Sequence, residues 1–112
     1  MDSETDNPME PPYAQVIVIN WNGEAFLQDC LQSISDQTES RVNITVVDNG
    51  SHDGSVDLVR DQYPDIRLFS LSENTGFSWA ANIAIQNGDV RYVLMVNNDA
   101  VVDPNWLQRL IG

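Results

Sequence analysis

The 112-residue chain contains no lysine, and its five positively charged side chains are all arginine. Seventeen Asp and Glu residues outnumber them and give a formal net charge of −12. Nucleic acid and anionic lipid are both recognised through basic residues, so the composition argues against either as a partner. An acidic, lysine-free surface is typical of halophilic proteins, which use net charge for solubility, and it also occurs in ordinary acidic proteins.

Two further absences limit the class of protein. The single cysteine, Cys30, excludes an internal disulfide and favours a reducing, cytoplasmic compartment. No apolar run approaches the ~20 residues of a membrane-spanning helix. Residues 1–12 are acidic, contain proline and match neither a signal peptide nor a transit peptide, so we predict a disordered lead-in. Residues 13–112 are then expected to form one globular domain.

What the chain does contain is an alternation of two hydrophobic patterns. Short apolar runs predict buried strands at 15–20, 42–48, 66–71 and 91–96. Between and after them, apolar residues three and four apart predict amphipathic helices, and Cys30 falls on the apolar face of the first one. The order βαβαβαβα predicts an α/β fold with a doubly wound, mainly parallel sheet, and we expect the strand order 3-2-1-4.

The last predicted helix raises the question of completeness. The chain ends at Gly112, about two turns into that helix, which predicts a domain truncated at its C-terminus. An interrupted sheet would expose an edge and apolar surface, and self-association through that surface is expected.

Polar side chains follow three of the four predicted strands. Asn20 ends the first strand, Asp48 ends the second, and Asn97-Asn98-Asp99 follows the fourth. The carboxyl ends of parallel strands meet at one edge of a sheet, where open α/β folds bind ligands. In the order 3-2-1-4 the crevice opens between strands 1 and 4, which would place Asp48 and Asp99 at two ends of one groove.

Two interpretations are open for each of these carboxylates. Asp99 suits Mg²⁺ or Mn²⁺, which are often held by one or two carboxylates plus substrate phosphates, or it forms a turn before the last helix. Asp48 can accept from a base N–H or a ribose hydroxyl, or it caps the following turn. The first β–α turn, Asn20 to Gly23, lacks both the G-x-G-x-x-G spacing of dinucleotide-binding folds and the acid expected of a hydrolase with an Asp48 nucleophile.

Further candidates surround the same edge. Gly76 allows either close approach of the backbone to a diphosphate or a turn with positive φ. Asn82 is a poor helix former within a predicted helix, so its amide either serves a ligand or is simply exposed. Trp21 and Trp79 flank the edge and could stack on a ligand, although core packing is favoured for both.

Four segments of the chain, in this order, resemble the N-terminal half of family 2 glycosyltransferases. They are Val16 to Gly23, Val46 to Ser55, Asn74 to Asn82, and Asn97 to Asp99. The resemblance covers Ala14 to Ile111 and is nearest to the rhamnosyltransferase-like branch, in which the D-x-D motif is often N-N-D. It implies the nucleotide-binding half of a GT-A fold.

The resemblance also implies a role for each matching residue. A nucleoside-diphosphate sugar would be bound, with its base contacted by Asp48 and a divalent cation, Mg²⁺ or Mn²⁺, coordinated by Asp99. That cation would offset the charge on the departing nucleoside diphosphate. The other substrate-binding residues would be Asn20, Trp21 and Asn22 at the nucleoside, Gly76 and Asn82 at the phosphates or sugar, and Asn98.

Two departures from the family pattern affect this expectation. Asn97 replaces the first acid of D-x-D, so metal binding would rest on Asp99 alone. No residue here is a candidate for the catalytic base that inverting transfer needs at the acceptor hydroxyl, and the half that carries it is expected to be missing. The sequence therefore predicts the donor-binding portion of an inverting glycosyltransferase of cell-wall or polysaccharide synthesis. The alternative is a non-catalytic module that binds nucleoside diphosphates or a partner.

Overall fold

The structure, a computed structural model, describes residues 14–37, 42–86 and 92–111. The strands are β1 (Ala14–Asn20), β2 (Val42–Asp48), β3 (Arg67–Ser70) and β4 (Tyr92–Asn97). The helices are α1 (Glu24–Ser35), α2 (Ser55–Gln62), α3 (Phe77–Gln86) and α4 (Trp106–Ile111). The predicted order βαβαβαβα is confirmed, and each strand boundary lies within one residue of its prediction. The predicted lead-in, 1–12, lies outside the described residues.

The four strands form one parallel sheet in the predicted order β3-β2-β1-β4. β1 pairs with β2 along its whole length, so that Asn20 lies opposite Asp48. On its other side β1 pairs with β4, and Ile19 lies opposite Asn97. The register therefore brings the polar ends of β1, β2 and β4 to one edge of the sheet.

β1 is buried on both faces because its alternate side chains point to opposite sides of the sheet. On one side, Val16 and Val18 pack with the apolar face of α1 and with Val46, Val59, Val96 and Leu107. On the other side, Ile17 packs with Val47, Ala80 and Ala84, the last two on α3. The continuous apolar run of β1 is thus explained by two hydrophobic clusters that share this strand.

Cys30 lies in the larger of these clusters, as its position on the apolar face of α1 predicted. Burial, helped by the Asp99 carboxylate, raises the pKa of its thiol to about 11. A thiol with that pKa is protonated at neutral pH, so Cys30 is a core residue and not a nucleophile.

Within the described ranges, no helix combines the length and the apolar character needed to cross a bilayer.

Candidate functional site at the carboxyl edge of the sheet

A buried amide links the ends of three strands. Asn20, the last residue of β1, has no exposed surface, and its Nδ2 donates to Asp48 Oδ1 at 2.9 Å and to Ser51 Oγ at 3.4 Å. Its Oδ1 accepts from Nδ2 of Asn98, just after β4, at 2.9 Å. We name Asn20, Asp48 and Asn98 the Asn20 clamp. Both ends of the Asn20 amide are engaged inside the protein, so its side chain holds the edge together.

Asp48 caps the turn that follows β2, which is one of the two interpretations that the sequence left open. Its Oδ1 accepts from the Ser51 hydroxyl at 2.7 Å, and its Oδ2 accepts from the Ser51 N–H at 2.9 Å. The residue is only 2% exposed. A carboxylate oxygen can accept two hydrogen bonds, and Oδ2 accepts one from the described residues, which leaves one acceptor position on Oδ2 unused by them.

Gly23 makes room for the clamp. A Cβ at this position would collide with the side-chain amide atoms of Asn98 and Asn20. The sequence marked Gly23 only as a turn residue, because the close approach depends on Asn98, which is far away along the chain.

Asn22 ties the loop after β1 to the loop after β2. Its backbone adopts a positive φ of 52°, a conformation that Asn tolerates better than most residues. Its N–H donates to Ser51 Oγ at 2.8 Å, and its Oδ1 accepts from the His52 N–H at 2.7 Å. Asn22 thus lies at the predicted edge, with its side-chain oxygen bonded to a neighbouring loop.

The first turns of α1 and α2 cap each other across the same two loops. Asp53 accepts from the backbone N–H groups of Glu24 and Ser55, both at 3.0 Å. In return, Glu24 Oε1 accepts from the Gly54 N–H at 2.9 Å. Burial acts to raise the pKa of Asp53, but hydrogen bonds from the Ser55 hydroxyl and from the two backbone N–H groups lower that pKa below its usual value.

The loop before α3 is held by Asn49, a residue that the sequence analysis did not single out. Asn49 is 3% exposed. Its Oδ1 accepts from the Thr75 N–H at 2.8 Å and from the Thr75 hydroxyl at 3.0 Å. Its Nδ2 donates to Asn74 Oδ1 at 3.1 Å and to the Gly76 carbonyl at 3.4 Å. Only the Asn49-Gly50 dipeptide, a common turn pair, marked this position in the sequence.

Gly76 occupies the turn with positive φ that was one of its two predicted roles, with φ of 87°. A Cβ built on Gly76 would meet nothing within 4 Å. The space beside this backbone is therefore open, and close approach of a ligand is compatible with the structure.

A cleft of about 330 Å³ opens beside the end of β4. Its polar lining is Asn97, Asn98 and Asp99, and its apolar lining is Ile19, Phe77, Met95 and Val96. Asp99 is exposed and forms no hydrogen bond with the described part of the chain. Asp99 therefore lines the cleft, and no hydrogen bond from the described residues occupies its carboxylate.

Asp99 fits a divalent cation only as its single carboxylate ligand. In the described ranges, no three His, Cys, Asp or Glu side chains come together as a metal-binding group. Mg²⁺ keeps several waters and is commonly held by one or two carboxylates together with substrate phosphates. The donor set at this edge is therefore that of an open site that a diphosphate would complete.

The expected core packing of Trp21 and Trp79 is wrong. Their side chains are 51% and 59% exposed. Trp21 follows the last residue of β1 and lies beyond the sheet edge. Trp79 precedes Ala80, which with Ala84 forms the buried face of α3, and so lies off that face. Asn82, also on α3, is exposed and does not line the cleft.

The structure thus brings Asn20, Asn22, Asp48 and Asn98 together through hydrogen bonds, and it places Asp99 and Phe77 on one cleft. A parallel 3-2-1-4 sheet with such polar loops at its carboxyl edge defines a doubly wound α/β domain with a ligand-binding edge.

The family follows from comparison with known proteins. The model of the family described as Glycosyl transferase family 2 matches residues 15–112, and the chain belongs to that family. Glycosyltransferase GlyA of Streptococcus pneumoniae is 34% identical over 97 residues, which are 85% of this chain and 14% of that protein. The chain spans about a third or less of the length of this relative and of EpsH of Bacillus subtilis.

Solved structures show that the fold is that of GT-A glycosyltransferases. TarS of S. aureus in complex with UDP-GlcNAc has a TM-score of 0.80 at 23% identity, covering 88% of this chain and 30% of that one. Mannosyltransferase PcManGT of Pyrobaculum calidifontis, in complex with GDP-Man and Mn²⁺, has a TM-score of 0.73 at 26% identity, covering 90% and 34%.

Proposed function

We propose that this chain is the donor-binding portion of an inverting, sugar-nucleotide-dependent glycosyltransferase of the rhamnosyltransferase-like branch. Its ligand is a nucleoside-diphosphate sugar with Mg²⁺ or Mn²⁺. The observation that carries the proposal is Asp99, an exposed carboxylate that lines an open cleft and accepts no hydrogen bond from the described residues. Structural neighbours solved with UDP-GlcNAc and with GDP-Man and Mn²⁺ support it.

Each group at the edge has a place in this proposal. Asp48 Oδ2 accepts from the base, and the exposed indole of Trp21 offers an aromatic face beside it. Gly76, with open space beside its backbone, and the exposed Asn82 of α3 border the diphosphate or the sugar. Asp99 holds the cation, which when bound supplies positive charge that offsets the charge on the departing nucleoside diphosphate.

The two asparagines of the Asn20 clamp, Asn20 and Asn98, have a different task from the groups that contact the ligand. Asn98 donates to Asn20, and Asn20 donates to Asp48, so they fix the position of the Asp48 carboxylate relative to the loop after β4. Preorganised contacts lose less conformational freedom on binding and so give higher affinity.

The setting that fits this activity is the cytoplasm or the inner face of the membrane, on cell-wall or polysaccharide precursors. Relatives named for teichoic acid and teichuronic acid synthesis support that role. Because those relatives are named as transferases or polymerases, they do not favour the alternative of a non-catalytic module.

Calorimetric titration with UDP-, dTDP- and GDP-sugars, with Mn²⁺ and then with EDTA, tests the proposal. We expect one nucleotide series to bind in a metal-dependent way. Asp99→Asn should remove the metal dependence, and Asp48→Asn should weaken recognition of the nucleoside. The matched control is Asp61→Asn, the same change at an exposed acid of α2. Absence of binding to every nucleotide sugar, or binding that all three variants share equally, would overturn the proposal.

A further inference from the structure

The loop before α3 is exposed yet has a defined conformation. Residues 72–76 are all exposed, and Gly76 at the end of the loop adopts a positive φ of 87°. Exposed loops with few contacts lie at the low-stability end of a structure and open readily. A loop of this kind needs a specific anchor if it is to present one conformation to a ligand.

The anchor is the side chain of Asn49. All four of its side-chain hydrogen bonds go to Asn74, Thr75 and Gly76. Its own backbone is fixed separately, because its N–H donates to the Asn20 carbonyl at 2.8 Å. Both ends of the amide are engaged, so Asn49 has no hydrogen-bonding group left for a ligand.

The next residue strengthens the same contact. Gly50 has a φ of 82°, and a Cβ built there would lie 2.6 Å from Glu73 Cα. The backbone after β2 therefore packs directly under the backbone that leads into the loop. Asn49 hydrogen-bonds the loop, and Gly50 lets the backbone after β2 pack closely against Glu73. Together the two residues fix the loop before α3 in one conformation.

We infer that Asn49 is a positioning residue for the diphosphate-sugar end of the donor site. The inference rests on the proposed function. Asn49 holds Asn74, Thr75 and the Gly76 carbonyl, directly before α3, whose first residue Phe77 lines the cleft. Because the loop is already ordered in the folded protein, the conformational entropy of ordering it is not lost again when the donor binds.

A positioning role for Asn49 predicts that its loss affects one part of the donor site and not the other. The bonds that hold Asp48 come from Asn20 and Ser51 and do not involve the Asn49 side chain. Loss of the Asn49 amide should therefore weaken binding of a nucleoside-diphosphate sugar while leaving binding of the nucleoside alone nearly unchanged. A residue that merely supports the whole domain would weaken both equally.

The test compares Asn49→Ala and Asn49→Ser with the control Asn43→Ala, the same change at an exposed position of β2. Each protein is titrated with the nucleotide sugar that the parent binds, with Mn²⁺, and with the corresponding nucleoside. Hydrogen exchange at the Thr75 and Gly76 amides reports on the loop. Asn49→Ser retains a polar group in the buried slot and keeps the test available if the alanine variant folds poorly.

We expect Asn49→Ala to weaken nucleotide-sugar binding about tenfold, the loss of one to two hydrogen bonds. Asn49→Ser should have a smaller effect, and both variants should speed exchange at Thr75 and Gly76 while the strand amides stay protected. Nucleotide-sugar binding that is unchanged in Asn49→Ala, or a parallel loss for the nucleoside, overturns the inference alone. A parent that binds no nucleotide sugar overturns the proposed function as well.

Discussion

At the scale of single residues, amide side chains join the loops of this edge. An amide has a donor end and an acceptor end, whereas a carboxylate only accepts. Asn20 uses both ends to join Asp48 and Asn98, and Asn49 uses both ends on the loop before α3. An amide can therefore join an acceptor on one loop to a donor on another, which a carboxylate cannot do.

Removing the Asn20 amide should be costly for stability. In Asn20→Ala, Asn98 loses its side-chain acceptor and Asp48 loses a donor while it stays buried. We expect a loss of about 2–3 kcal/mol in the free energy of unfolding, measured by urea denaturation. Asn43→Ala, at an exposed site, should stay within about 0.5 kcal/mol of the parent. Equal losses in the two variants would contradict the clamp.

Two glycines with nearly the same backbone angle should respond differently to alanine. Gly50 and Gly76 have φ of 82° and 87°. Gly76→Ala should cost about 1 kcal/mol from backbone strain alone, because its Cβ would point into open space. Gly50→Ala should cost more, because the backbone of Glu73 must also move. Equal melting temperatures for the two variants would show that the close approach at Gly50 is not significant.

At the scale of elements, the strands and helices could be predicted because their buried faces leave a hydrophobic pattern in the sequence. β1 is apolar without interruption because helices cover both of its faces, and α1 repeats apolar residues three and four apart because one face is buried. The mutual capping of α1 and α2 was not predictable. It joins Glu24 to Asp53 across 29 positions, and no local pattern encodes such a contact. The prediction for Trp79 was wrong because an aromatic side chain on a helix is buried only when it lies on the helix face that packs against the core.

The mutual capping predicts an acid-sensitive contribution to stability. The pKa of Asp53 is lowered in the folded state, so between that pKa and the ordinary value the folded protein binds fewer protons than the unfolded chain. The stabilisation is fully present above about pH 4 and is lost as the pH falls through the folded-state pKa.

Asp53→Asn removes this contribution. The difference in unfolding free energy between parent and variant should be largest near neutral pH and should shrink as the pH falls below the ordinary pKa of an aspartate. Denaturant titrations across that pH range measure it, with Asp61→Asn at an exposed acid of α2 as the control. A difference that stays constant with pH would show that the Asp53 charge does not contribute.

At the scale of the whole molecule, topology predicted where the site lies and not which atoms face a ligand. The order 3-2-1-4 brings Asn20, Asp48 and Asn98 to one edge, as expected from parallel strands. The sequence did not reveal that the Asn20 amide is engaged at both ends, since its partners come from distant loops.

The described sheet also predicts self-association. β4 pairs with β1 on one side and forms an edge of this sheet, and it exposes apolar surface at Val93 and Met95. Exposed apolar edges favour pairing with a second chain. Light scattering should show a mass that rises with concentration, and Val93→Lys should reduce that rise. Val101→Lys, the same change at a 68% exposed valine outside the strands, is the control. A monomer at high concentration would contradict this prediction.

The proposed function requires the carboxyl edge to bind a nucleoside-diphosphate sugar with a cation at Asp99. The most direct measurement is the paramagnetic broadening that Mn²⁺ causes in the amide NMR signals, with and without the nucleotide sugar. We expect the broadening to be centred on Asn97 to Asp99 and on Gly76 and Phe77. The nucleotide sugar should strengthen this broadening, and Asp99→Asn should abolish it. Broadening centred on the acidic residues of α2, or unaffected by the nucleotide and by Asp99→Asn, would contradict it.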